Sequence, residues 1–115
     1  GANVLNMAFF ATLGGYYAHR LLSRLLGGGK ARGTRTFIVN FLASWFSVVT
    51  AATAAALELA ASGTVPLGVV LPAMLFWHVI IGIGEGVITA VAVSFVTCLR
   101  PDLQSMQLAG PSTDP

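Results

Sequence analysis

Residues 67–99 read LGVVLPAMLFWHVIIGIGEGVITAVAVSFVTCL, 33 residues whose only charged side chain is Glu85. As one helix this run would measure roughly 50 Å, against a hydrocarbon core of about 30 Å. A stretch this apolar belongs in a bilayer, and its length predicts a break. Pro72 removes a helix hydrogen bond, and Gly82, Gly84 and Gly86 weaken the middle. The expected division, in the region Pro72–Gly82, is a short helix over about 67–77 followed by a full span over about 78–99, stopped by Arg100-Pro101.

Outward from this run the same pattern repeats. Residues 36–61 form a second apolar stretch, and Asn40, Ser44 and Ser47 fall on one helical face of it. Such a stripe suits contact with other helices, because hydroxyl and amide side chains bond across a helix pair and small residues allow close approach. A neutral turn, Ser62-Gly-Thr-Val-Pro66, separates the two stretches. A third apolar segment covers about 2–26; Tyr16 and Tyr17 before Arg20 suit a helix leaving the hydrocarbon for the headgroups. Three consecutive glycines, Gly27–Gly29, end it. The expected fold is an all-α membrane protein with three main transmembrane helices, followed by a polar, disordered tail over 104–115.

Composition agrees with this reading. Of 115 residues, 56% are hydrophobic and 9% charged, against roughly 25% charged in soluble domains. The net charge of +2 does not point to nucleic acid, since Arg20, Arg24, Lys30, Arg32 and Arg35 cluster in one connection between apolar segments. Under the positive-inside rule that connection, 20–35, and the C-terminus are cytoplasmic, and the chain is a multi-pass protein of the cell (inner or plasma) membrane. The first segment is no signal peptide, lacking a basic region ahead of it. Gly1 is not an initiator methionine, so a longer parent chain is expected. The lone Cys98 excludes disulfide frameworks and CxxC sites within the chain.

The stretch His78–Thr89 carries the most chemistry. His78, Gly82, Glu85 and Thr89 are spaced by four, three and four, one stripe on a helix. An intramembrane carboxylate is costly unless it pairs or meets water, so Glu85 is expected to face a bundle interior. Either His78 and Glu85 line a polar passage for a cation, or each bonds a neighbouring helix and fixes packing. Two helical turns, about 10 Å of rise, separate them, too far for both to bind one ion directly. Asn3 and Asn6 read as helix-start or interhelical contacts, and His19 as interfacial. Gly27-Gly-Gly-Lys30 lacks the spacing and Ser/Thr of a phosphate-binding loop, and Gly82-Ile-Gly84 lacks the third glycine of a dinucleotide fingerprint. No nucleophile set or metal-ligand spacing is present, so no enzyme activity, catalytic residue or bound cofactor is expected.

Two stretches resemble one family. Gly1-Ala-Asn-Val-Leu-Asn-Met-Ala8 and His78–Thr89, with Pro101-Asp102-Leu103 after the last span, look like the C-terminal half of the CbiM/NikM proteins. These are substrate-capture components of energy-coupling-factor transporters for cobalt and nickel. The resemblance covers residues 1–103. It implies capture of Co²⁺ or Ni²⁺ outside the cell and partnership with a coupling transmembrane subunit, ATPase subunits and a small accessory membrane subunit; with cobalt, it implies service to cobalamin biosynthesis. The family's metal is held by an N-terminal amine and a following Met-His, with an upstream histidine, none of which this chain contains. Its primary ligands are expected in the missing N-terminal half, and His78, Glu85, Asn3 and Asn6 are nominated only as residues that orient such ligands or gate the ion's path. The competing reading is a structural or interaction subunit without its own metal site.

Overall fold

The computed structural model describes residues 1–26 and 32–102, the side chains of Ala2, Asn3 and Arg32 apart. The glycine-rich part of the basic connection and the tail expected to be disordered lie outside these residues. Every element is helical: α1 (Ala2–Leu5), a π-helical segment (Asn6–Ala11), α2 (Thr12–Leu25), α3 (Arg32–Ala61) and α4 (Leu67–Leu99). The first three follow one another without a turn and make a single rod. With α3 and α4 they form a slab of 54 × 36 × 24 Å.

The central member is α3. Asn6 meets Glu58, Gly14 meets Thr50 and Arg35 bonds the Ser23 carbonyl, so the first rod and α3 are antiparallel. Trp45 bonds the Val79 carbonyl and Ser44 the Thr89 hydroxyl, so α3 and α4 are antiparallel too. The polar stripe of α3 thus divides its work. Ser44 reaches α4, Ser47 reaches the first rod through a 2.7 Å bond to the Ala11 carbonyl, and Asn40 donates back to the Thr36 carbonyl one turn earlier in its own helix.

Small residues make these approaches possible. A Cβ on Gly14 would sit 3.1 Å from Thr50 Oγ1, and one on Gly15 3.3 Å from Ser47 Cβ. Ala43, Ala51, Ala52, Ala56 and Ala90 are buried. With no water to expel between helices in lipid, close packing and interhelical hydrogen bonds hold such faces together.

The expected break in the last run is absent. Residues 67–99 form one helix with Pro72 inside it. Pro72 is the sixth residue, so the single lost bond, to the Gly68 carbonyl, falls near the beginning and the later turns retain theirs. Gly82 and Gly86 are not weak points. A Cβ at Gly82 would lie 3.0 Å from Trp45 Cδ1, and one at Gly86 2.9 Å from Phe41 Cδ2 and 3.0 Å from the Phe41 carbonyl oxygen. They are the notches into which two aromatic plates of α3, one turn apart, are pressed. Nothing meets Gly84 within 4 Å.

The turn between α3 and α4 closes as its residues dictate. Gly63 adopts φ +72°, Gly63 N–H donates to Ala60 and Thr64 N–H to Leu59, the paired bonds of a Schellman cap. Pro66 then opens α4.

Among the described residues two helices, Gly33–Ala61 and Leu67–Leu99, are long and apolar enough to cross a bilayer. Only 22% and 17% of their most apolar windows are buried. A soluble core helix of this composition would be enclosed, so lipid or further helices must cover the remainder.

Candidate functional site

Between the first rod and α4 lies a cleft of about 510 Å³, floored by the α3 residues Ser47, Val48, Ala51, Ala52 and Ala55. One wall is the π segment, with Asn6, Met7 and Ala11; the other is Met74, His78, Ile81 and Glu85 of α4. A roomier hollow of about 670 Å³, where α3 begins and α4 ends, is lined by Thr34, Thr36, Ser94, Thr97 and Cys98 but by neither carboxylate nor imidazole. The cleft therefore holds the candidate chemistry.

Three of the four residues singled out in the sequence meet there: Asn6, His78 and Glu85. The side chain of Asn3 lies outside the description. Gly82 and Thr89, the other members of the expected stripe, turn toward α3 instead, against Trp45 and Ser44. His78 and Glu85 thus stand on the edge of the α3–α4 contact. Neither bonds another helix among the described residues. His78 Nδ1 lies 2.8 Å from the Met74 carbonyl oxygen of its own helix. Since a carbonyl only accepts, Nδ1 carries the proton of this bond, and in the Nδ1–H tautomer the ring's lone pair lies on Nε2. Glu85 is exposed to the cleft and has no hydrogen-bond or ionic partner among the described residues.

Asn6 is the buried polar residue of the wall, 5% exposed. Its Nδ2 donates to Glu58 Oε2 at 3.2 Å, and its Oδ1 has no partner. An amide oxygen set against the carboxylate would be repelled, so it is the amide nitrogen that faces Glu58. Glu58 carries no warning in the sequence beyond its place in the last turn of the second apolar stretch. Its partner lies 52 residues away, a pairing only the fold creates.

The π segment is a second feature without a sequence signal. Widening the turn leaves carbonyl groups poorly served by backbone donors. Thr12 Oγ1 reaches the Met7 carbonyl at 3.4 Å, and Ser47 Oγ takes that of Ala11. Wide turns of this kind recur at functional sites, and this one forms a wall of the cleft. Among the described residues, no three His, Cys, Asp or Glu side chains gather closely enough to enclose a metal ion.

Residues 1–103 match the family described as the cobalt uptake substrate-specific transmembrane region, CbiM. Among similar proteins are a putative fused nickel transport protein, NikMN, of Archaeoglobus fulgidus, 36% identical over 111 residues, and a cobalt transport protein, CbiM, of Sorangium cellulosum, 34% identical over 106. The alignments take in 95% and 90% of this chain but only 35% and 45% of those proteins. No solved structure matches the chain.

Proposed function

Since the chain belongs to the CbiM family of transmembrane regions, we propose that it is part of the membrane subunit that captures cobalt or nickel in an ATP-driven uptake transporter of the energy-coupling-factor type. The observation that supports this most directly is the cleft, where Asn6, His78 and Glu85 converge between apolar helices. Polar groups kept at such a place are costly unless they meet an ion, water or a partner. In this reading the primary ligands come from the portion of the longer relatives that this chain does not span. His78, Glu85, Asn6 and Asn3 orient those ligands or gate the path. ATP hydrolysis falls to partner subunits, alongside a coupling transmembrane subunit and a small accessory membrane subunit, and cobalt as cargo would feed cobalamin biosynthesis.

The chain crosses the cell membrane three times, as the first rod, α3 and α4, with the basic connection and the C-terminal end in the cytoplasm. Arg20 Nη1 bonds the Tyr16 hydroxyl at 3.2 Å, and Arg35 ties the start of α3 to Ser23. Both arginines lie at the end of the slab opposite the Ser62–Pro66 turn, as this orientation requires.

Equilibrium binding of Co²⁺ and Ni²⁺ in lipid nanodiscs tests the proposal, with the chain alone and with it co-produced with the remaining part of a relative. Binding in the completed protein is expected. Absence of binding in both forms would favour a purely structural subunit. In cells, Glu85→Gln is expected to impair uptake without impairing assembly, whereas loss of assembly would assign Glu85 to packing.

A further inference from the structure

The polar side chains of the cleft direct their protons into the protein. Asn6 donates to Glu58, Thr12 to the Met7 carbonyl, Ser47 to the Ala11 carbonyl and His78, through Nδ1, to the Met74 carbonyl. Apart from the second Nδ2 proton of Asn6, these residues have only lone pairs left to offer the cleft: the Thr12 and Ser47 hydroxyl oxygens, His78 Nε2 and the Glu85 carboxylate. A lining of acceptors is complementary to a ligand whose surface is all donors.

A hydrated divalent cation is such a ligand. Its charge turns the water oxygens inward and the O–H groups outward. Six waters at about 30 Å³ each come to about 180 Å³, well within a cleft of about 510 Å³. Spacing agrees as well. With metal–oxygen bonds of about 2.1 Å and hydrogen bonds of about 2.7 Å, acceptors on opposite sides of the aqua ion stand about 10 Å apart. Seven residues of helix, the separation of His78 and Glu85, rise by about the same distance. The two side chains that cannot share one bare ion can share one that keeps its water.

We propose that this cleft holds a divalent cation with its hydration shell intact, gripped through its coordinated waters by His78 and Glu85. This rests on the reading of the chain as part of a metal-uptake protein and adds a stage to it: the ion is collected wet, before any ligand replaces its water. Glu85 supplies the opposing charge.

Hexaamminecobalt(III) is the discriminating probe. Its six ammonia ligands present N–H donors much as aqua ligands present O–H, and they exchange too slowly for a direct metal–protein bond to form. Titrated into the chain in nanodiscs of zwitterionic lipid, it is expected to bind saturably and to compete with Ni²⁺. Glu85→Gln is expected to weaken the binding at least tenfold. Ala55→Leu, which fills the floor without altering a polar group, is expected to do the same and decides the matter if the Glu85 variant does not assemble. No saturable binding, failure to displace Ni²⁺, or affinity unchanged in both variants would overturn the proposal. Metal uptake by the completed protein without cleft binding would remove this inference alone; cleft binding without uptake would sustain it and remove the transport reading.

Discussion

The amide of Asn6 and the carboxylate of Glu58, 52 residues apart, meet at 3.2 Å and fasten the first rod to α3. This bond sits above the cleft floor and fixes the wall that carries the π segment. Removing the acceptor leaves a buried amide with neither of its polar atoms satisfied. Glu58→Ala is therefore expected to lower stability by about 1.5–3 kcal/mol, read by reversible unfolding in bicelles. Glu58→Gln, which keeps an accepting oxygen, is expected to retain most of it; equal losses in both variants would refute this role.

The glycines of α4 provide a test in both directions. Gly86→Ala drives a methyl against the Phe41 ring and carbonyl, and Gly82→Ala drives one against Trp45. Each is expected to cost about 1–3 kcal/mol, the usual penalty of overpacking. Gly84→Ala meets open space and is expected to stabilise the helix by up to about 1 kcal/mol. The same unfolding measurement checks all three, and a uniform response would contradict the contacts described.

Ser47 donates to a carbonyl of the π segment, whereas Thr53 donates to Val49 within its own helix. Ser47→Ala is expected to speed amide hydrogen exchange over residues 6–12 severalfold, at a cost of about 0.6–1.7 kcal/mol. Thr53→Ala is the control. Exchange that changes equally in both variants would separate the wide turn from Ser47.

Beyond α4, Arg100 Nη2 lies 2.9 Å from Asp102 Oδ2, with both side chains more than half exposed. The hydrogen bond from Arg100 holds the Asp102 carboxyl below its ordinary value of 3.8. A depressed acid contributes its stabilisation above the ordinary value and loses it as pH falls through the lowered one, so the clasp should open only below 3.8. Exposure keeps the effect small. Carbon-13 titration of Asp102 is expected to show the depressed midpoint and its upward return in Arg100→Gln.

Much of the helical plan was legible because lipid imposes it. Apolar runs over 36–61 and 67–99, each carrying a single carboxylate, and the Gly63 and Pro66 signals between them, mark α3, its cap and α4 directly. The middle of α4 was misread for a physical reason. Glycine weakens an isolated helix, but Gly82 and Gly86 are positioned for Trp45 and Phe41, some forty residues earlier, and no local pattern reports that partnership. The candidate site divides in the same way. His78 and Glu85 stood out as polar groups in an apolar run, and Asn6 as an amide in another, yet their meeting in one cleft and the bond from Asn6 to Glu58 exist only once α3 lies between the two walls.

The wide turn from Asn6 to Ala11 holds one residue more than an α-helical path of equal rise would need. Rewinding it to ordinary pitch would rotate everything before it by about 100° around the rod axis. Asn6 would swing off α3, and residues 1–5 would travel to another side of the rod. The azimuth of the chain's first residues is thus geared to the winding of a single turn, and Glu58 is the stop that holds the gear.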